Sequence, residues 1–166
     1  MPNFSNAQDR PWDSFLNDIK TVTIAPGVTT ISPRAFRNCA NLTAATIPNS
    51  VTKISMEAFY DCIKLSTIDL GSGVQTLERG AFINCTALTS ITIPAGVTNI
   101  IDGTFYGCTN LKDVTILNPT PPTLHILVGP IFPAEGDTLH VPAGSLTAYQ
   151  NDSNWRAAFT TITESN

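Results

Sequence analysis

A cysteine returns every 23 residues, at Cys39, Cys62, Cys85 and Cys108, and each time it brings the same apolar frame with it. The copy ending near Leu111 reads Ile91-Thr92-Ile93-Pro94-Ala95-Gly96-Val97-Thr98-Asn99-Ile100, then Thr104-Phe105-Tyr106-Gly107-Cys108-Thr109-Asn110-Leu111. A fixed period in this range marks a solenoid, whose units cannot bury an apolar face alone and do so only against their neighbours. The period therefore settles the architecture before any single residue is interpreted.

Aligning the copies separates the interior from the surface. One apolar column runs Val22, Ala45, Ile68, Ile91, Val114, and a second, two residues later, runs Ile24, Ile47, Leu70, Ile93, Ile116. Two apolar residues flanking a polar one form the period-2 signature of a short strand. Val28, Val51, Val74 and Val97 follow, then Ile31, Ile54, Leu77 and Ile100, then Phe36, Phe59, Phe82 and Phe105, and finally Leu42, Leu65, Leu88 and Leu111. Burying a large apolar side chain gains roughly 1.5–3 kcal/mol. Ordering each residue costs roughly 1–2 kcal/mol, so no turn is expected to stand without its neighbours.

Pro26, Pro48 and Pro94 sit just beyond the strand, where a missing amide donor ends a ladder. Ser32-Pro33 and Ser55 occupy the N-cap position of a short helical turn on the far side, with Pro33 at its first position. Asn38, Asp61, Asn84 and Gly107 stand immediately before the cysteines. These types tolerate a left-handed backbone best, and the helical turn is expected to stop there.

The run from Leu42 through Ile47-Pro48, Val51 and Ile54 to Ala58-Phe59 and Cys62 resembles the BspA-like, or Treponema pallidum-type, leucine-rich repeat. The resemblance covers roughly residues 19 to 142. It implies an α/β repeat fold: a right-handed leucine-rich-repeat solenoid of about five turns, with short parallel strands on the concave face and short helical turns on the convex face. It also implies a non-catalytic binding or adhesion module, secreted or at a bacterial cell surface, whose partner is a protein or a glycan; the alternative is a structural spacer in a larger surface protein. Met1 to Trp12 looks like a linking segment within longer relatives. Met1-Pro2-Asn3-Phe4-Ser5 does not read as a signal peptide, and the resemblance implies a piece of an exported protein.

The frame breaks after Ile116, at Leu117-Asn118-Pro119-Thr120-Pro121-Pro122, and the next strand pair is Leu139 and Val141. The expected organisation is an N-terminal capping or linking segment (1–19), the solenoid (20–142, its last turn degenerate over 117–142) and a C-terminal cap (143–166). In the first segment Trp12, Phe15, Leu16 and Ile19 follow helical spacing and are expected to cover the first turn. In the last, Ser145 is placed to cap a helix through Gln150, and Leu146, Tyr149, Trp155, Phe159 and Ile162 to cover the core.

Charge narrows the partners. The formal net charge is −4 and the nine Lys and Arg are scattered, which disfavours nucleic acid. No run approaches the roughly 18 apolar residues of a membrane span, so membrane insertion is not expected, and a monomer is favoured. Stacked equivalent cysteines point in parallel, which favours buried free thiols over disulfides. His125 and His140 lie outside the cysteine turns, so neither a metal nor any other cofactor is expected.

The outward residue of each strand forms the column Thr23, Thr46, Asp69, Thr92, Thr115, flanked by Thr21, Ala44, Thr67, Ser90, Asp113. One reading is a flat hydroxyl-rich ligand platform to which Asp69 and Asp113 give direction; the other is that Thr is simply favoured in exposed strands. On the convex side Arg37, Tyr60, Ile83 and Tyr106 follow the core Phe, and Tyr60 and Tyr106 form a second candidate contact surface. Glycoside hydrolysis needs two carboxylates about 5–10 Å apart flanking a cleft. Asp69 and Asp113 fall in different columns of an open face, with no phosphate loop or nucleophile elbow elsewhere. An enzyme is not expected.

Overall fold

The computed structural model describes residues 10–133 and 138–165. Each copy contributes one strand to each of two faces. The first face holds β1 (Thr21–Thr23), β3 (Ala44–Thr46), β5 (Thr67–Asp69), β7 (Ser90–Ile93), β9 (Asp113–Ile116), β11 (Thr138–Val141) and β12 (Thr161–Glu164). The second holds β2 (Thr30–Ile31), β4 (Lys53–Ile54), β6 (Thr76–Leu77), β8 (Asn99–Ile101) and β10 (Thr123–His125). All pairings are parallel, and registers such as Val22↔Ala45, Ile54↔Leu77 and Ile91↔Val114 reproduce the period. Equivalent residues thus stack on one another, and the fold is a parallel β-solenoid.

In the repeats carrying Phe36, Phe59, Phe82 and Phe105 the third side has no regular helix. The helical turns expected there take the form of successive i→i+3 turns, with the amide of Ala35 bonded to Ser32 O, that of Arg37 to Arg34 O and that of Cys39 to Phe36 O. Asn38, Asp61, Asn84 and Gly107 adopt the expected left-handed backbone, at φ 65°, 58°, 59° and 75°. A second left-handed column, Arg34, Glu57, Gly80 and Gly103, lies four residues earlier and keeps these turns from merging into a helix. Glu57 accepts from Arg34 Nε at 2.9 Å and from Arg37, and Arg37 lies 4.3 Å over the Tyr60 ring. These ion pairs hold two residue types that rarely adopt this conformation.

Two ladders fill the interior. The rings of Phe36, Phe59, Phe82 and Phe105 stack at 5.2–5.4 Å, and Trp12 extends the stack at one end at 5.7 Å. Beside them the four cysteines are buried and free. The thiols of Cys62, Cys85 and Cys108 donate to the carbonyls of Phe36, Phe59 and Phe82 in the preceding turn, at 3.1, 3.3 and 3.0 Å. Burial pushes the Cys39 thiol up to about 11. The same cause raises Cys62, and Cys85 is raised first by the adjacent Cys108 side chain and then by burial. Thiols raised in this way stay protonated at neutral pH, which makes Cys39, Cys62 and Cys85 poor nucleophiles.

The ends differ from expectation in detail. Trp12 covers the first turn and bonds Ala35 O through Nε1 at 2.9 Å, but Phe15, in a single 3-10 turn, points outward at 58% exposure. Buried Arg10 completes the closure, donating to Arg34 O, Arg37 O and Asp13 Oδ1 at 2.9, 2.7 and 2.6 Å. The rest of the proposed N-terminal linking segment, residues 1–9, lies outside the described residues. At the other end, α1 (Leu146–Asn151) and α2 (Ser153–Ala158) follow β11; Ser145 stands at the N-cap of α1 but its side chain makes no cap bond, whereas Asp152 caps α2. Buried Tyr149 and Trp155 bond Asn118 O and Pro122 O at 2.7 and 2.9 Å. The chain then returns as β12, so the first face runs on past the five turns expected from the sequence.

Candidate functional site

The structure gathers the two outward columns onto one surface. Thr23, Thr46 and Asp69 lie in register, as do Thr92 and Thr115; Thr21, Ala44 and Thr67 form the flanking column, continued by Ser90 and Asp113. Both columns run further than the sequence reading carried them. His140 pairs in register with Thr115 and Thr163, and Thr138 with Asp113 and Thr161. The apolar pair Leu139 and Val141 was the available signal, and the residues alternating with it complete the face. His140 Nε2 stands 3.6 Å from Asp113 Oδ1, so Asp113 is engaged within the face rather than paired with Asp69.

The face is not uniform. Its strands form a three-stranded sheet, β1-β3-β5, and a four-stranded sheet, β7-β9-β11-β12, with no ladder from β5 to β7. At the strand end the amide of Ile24 bonds Thr46 O and that of Ile47 bonds Asp69 O, at 3.0 and 2.8 Å. The equivalent bond from Leu70 to Thr92 is not made. The local cause lies in Leu70-Gly71-Ser72-Gly73, which replaces the Ile-Pro step of the flanking turns. Gly71 has φ +64°, and a Cβ there would lie 2.4 Å from Ile47 O; at Gly73 a Cβ would lie 1.9 Å from Asn49 O. Only glycine permits this approach. At this strand end the third turn's backbone lies close on that of the second, while β5 makes no ladder with β7 and a gap opens there.

That gap is a groove of about 230 Å³ whose lining includes Ile68, Pro94 and Leu117 together with Asp69, Ser72 and Thr92. Asp69 Oδ1 accepts the Gly71 amide at 3.0 Å, and Asn49 Oδ1 accepts that of Ser72 at 2.9 Å. Asp69 Oδ2 accepts no hydrogen bond among the described residues. The site therefore offers one oriented carboxylate, two hydroxyls and a short apolar trough. A carboxylate held in this way can accept hydrogen bonds from a cationic or donor-rich group lying along the trough. Tyr60 sits beneath Arg37, while Tyr106 is 52% exposed and borders a different pair of hollows, against Gly129 and Pro130 and against Pro133. The structure thus separates the two candidate tyrosines. Among the described residues no three His, Cys, Asp or Glu side chains converge as a metal site, and no helix is long and apolar enough to cross a membrane.

Stacked parallel strands, a 23-residue register and a ladder of buried Phe and Leu define a leucine-rich-repeat solenoid. More narrowly, residues 14–121 match the BspA type leucine rich repeat region in six copies, and the chain belongs to that family. Among solved structures it is similar to a leucine rich cell surface protein from Faecalibacterium prausnitzii, with 28% identity and a TM-score of 0.60 over 89% of this chain and 32% of that one. The leucine rich repeat protein of T. pallidum superposes with a TM-score of 0.68 at 21% identity, covering 88% and 73% of the two chains. The pneumococcal vaccine antigen PcpA gives 0.63 at 20% identity over 89% and 42%. The last two share the fold. The chain spans about a third of the Faecalibacterium protein's length. No curated protein matches it.

Proposed function

We propose that this chain is a non-catalytic binding module, displayed at a cell surface or secreted, that engages a partner protein through its first strand face, centred on the Asp69 groove. One observation carries the reading: the strand ladder is interrupted at the turn where the threonine column holds its one carboxylate. A bare scaffold gains nothing from such an interruption, which forfeits backbone hydrogen bonds. A protein segment is favoured over a glycan because the groove is lined by Ile68, Leu70, Pro94 and Leu117 and has no aromatic ring to stack on a sugar. The surface location is supported by the similarity to a Faecalibacterium prausnitzii protein described as a leucine rich cell surface protein.

A binding screen of the purified chain against extracellular-matrix and serum proteins and a glycan array, with Asp69→Arg and Thr46→Arg in parallel, tests this. The expected outcome is a protein hit weakened at least tenfold in both variants, with folding intact. Unchanged affinity in both moves the site off this face. A glycan hit reassigns the partner class, and no hit at all returns the chain to the role of a spacer.

A further inference from the structure

The two most exposed large apolar side chains among the described residues are neighbours. Leu127 and Val128 are 75% and 83% exposed, and Ile126 beside them is 50% exposed. They form the tip of the loop that follows β10. Such a tip forgoes the stabilisation that burial supplies, yet its backbone is bonded. The carboxylate of Asp102, itself only 4% exposed, accepts the amides of Leu127, Val128 and Gly129 through Oδ1 at 3.1, 3.0 and 3.1 Å. Arg79 Nε lies 3.8 Å from its Oδ2. A buried charge is tolerated only when it is hydrogen-bonded. Here its bonds fix three consecutive amides and so hold an apolar tip out in water.

Beside the tip lies an apolar hollow of about 420 Å³ whose lining includes Leu124, Ile126, Pro130, Phe132, Ala157 and Phe159. Ile126 and Pro130 bracket the tip in sequence and line the hollow as well, so projection and hollow belong to one patch. An isologous interface requires that coincidence, because each copy must offer the same surface in both roles. Charge points the same way. The chain carries net −4, yet residues 123–133 contain no acidic residue and no Lys or Arg, and the hollow is lined by the single charged side chain of Arg156. The loop itself thus adds no like charge that would repel a second acidic copy. Exposed Tyr106, which lines a further hollow with Val128 and Pro130, extends the patch with a ring suited to interfaces.

We infer that loop 126–130 is a self-association surface: the Leu127-Val128 tip of one molecule enters the hollow beside Phe159 of a second copy, and the second copy reciprocates. This pairing uses the end of the second sheet and leaves the Asp69 groove open, so it stands apart from the partner-binding proposal. Sedimentation of the full chain over a concentration series up to about 1 mM tests it, with Leu127→Asp and Val128→Asp on the tip and Ala157→Glu on the hollow. The expected result is a reversible monomer–dimer equilibrium whose dissociation constant rises at least tenfold in each variant, with melting temperatures near that of the parent chain. An equimolar mixture of Leu127→Asp and Ala157→Glu should regain part of the association, because the mixed pair keeps one intact contact. A strict monomer at every concentration overturns the inference, and so does a dimer indifferent to all three substitutions.

Discussion

The turn around Phe82 and the turn around Phe132 do the same interior work with different corners. Phe82 and Phe105 stack at 5.3 Å and Phe105 and Phe132 at 5.4 Å, although the second step takes 27 residues instead of 23. The amide of Phe82 bonds Thr104 O and that of Phe105 bonds Ile131 O, both at 2.8 Å. In the regular turn the corner is held by the left-handed residues Gly80 and Asn84 and by a thiol on a backbone carbonyl. In the irregular turn there is no cysteine, and the Asp102 carboxylate holds the loop amides instead. The solenoid constrains what each turn delivers to the stack and leaves the corner open to other chemistry. Outward-facing novelty accordingly appears at the irregular corner and at the glycine-rich strand end.

The comparison makes predictions of decreasing size. Truncating either ring should be costly: Phe82→Ala is expected to destabilise the fold by about 3–5 kcal/mol through a central cavity, and Phe132→Ala by a comparable amount. Denaturant melts read both, and a loss under ~1 kcal/mol at Phe132 would show that the stack stops at Phe105. Gly71→Ala should cost about 1–3 kcal/mol, since it strains a left-handed position and meets Ile47 O; a neutral result would mean that the third turn need not lie so close to the second.

Asp102→Asn should change global stability less, while removing hydrogen-exchange protection at Leu127, Val128 and Gly129. The backbone hydrogen bonds from the loop, that of Val128 foremost, hold the Asp102 carboxyl below its usual value of 3.8. Its stabilising contribution is therefore present above that value and lost as pH falls through the lower folded one. Loop protection should vanish in that acid window before the strand amides exchange, and loop and strands opening together would mean that Asp102 does not hold the loop separately. At the alkaline end the sign reverses. The Cys39 thiol, raised from 9.0 to about 11, favours the folded state below pH 9, and this contribution fades as pH rises through 11. A thiol reagent at pH 8 should find the native ladder silent and all four cysteines after unfolding.

Much of this was legible because repetition turns a weak signal at one position into a strong one across a column. Asn38, Asp61, Asn84 and Gly107 announce their left-handed backbone by residue type. Arg34 and Glu57 do not, because mutual ion pairing stabilises them and only the folded stack brings that pairing about. Asp69 stood out as the acid in the threonine column. Its groove did not, since it depends on a close approach of Gly71 and Gly73 to the turn before. Asp102 was silent for a related reason: its three partners lie 25 to 27 residues away, beyond the break in the frame. The strand at Thr161–Glu164 belongs to no repeat copy and pairs only after two helices return the chain to the face.

The protein's two tryptophans, Trp12 and Trp155, stand at opposite ends of its row of rings. Turns that are held only by their neighbours are free to open from either end. Indole emission is thus a built-in pair of end sensors. Replacing one tryptophan with phenylalanine leaves the other to report whether heat or denaturant unzips the chain from its start, from its finish, or from both at once.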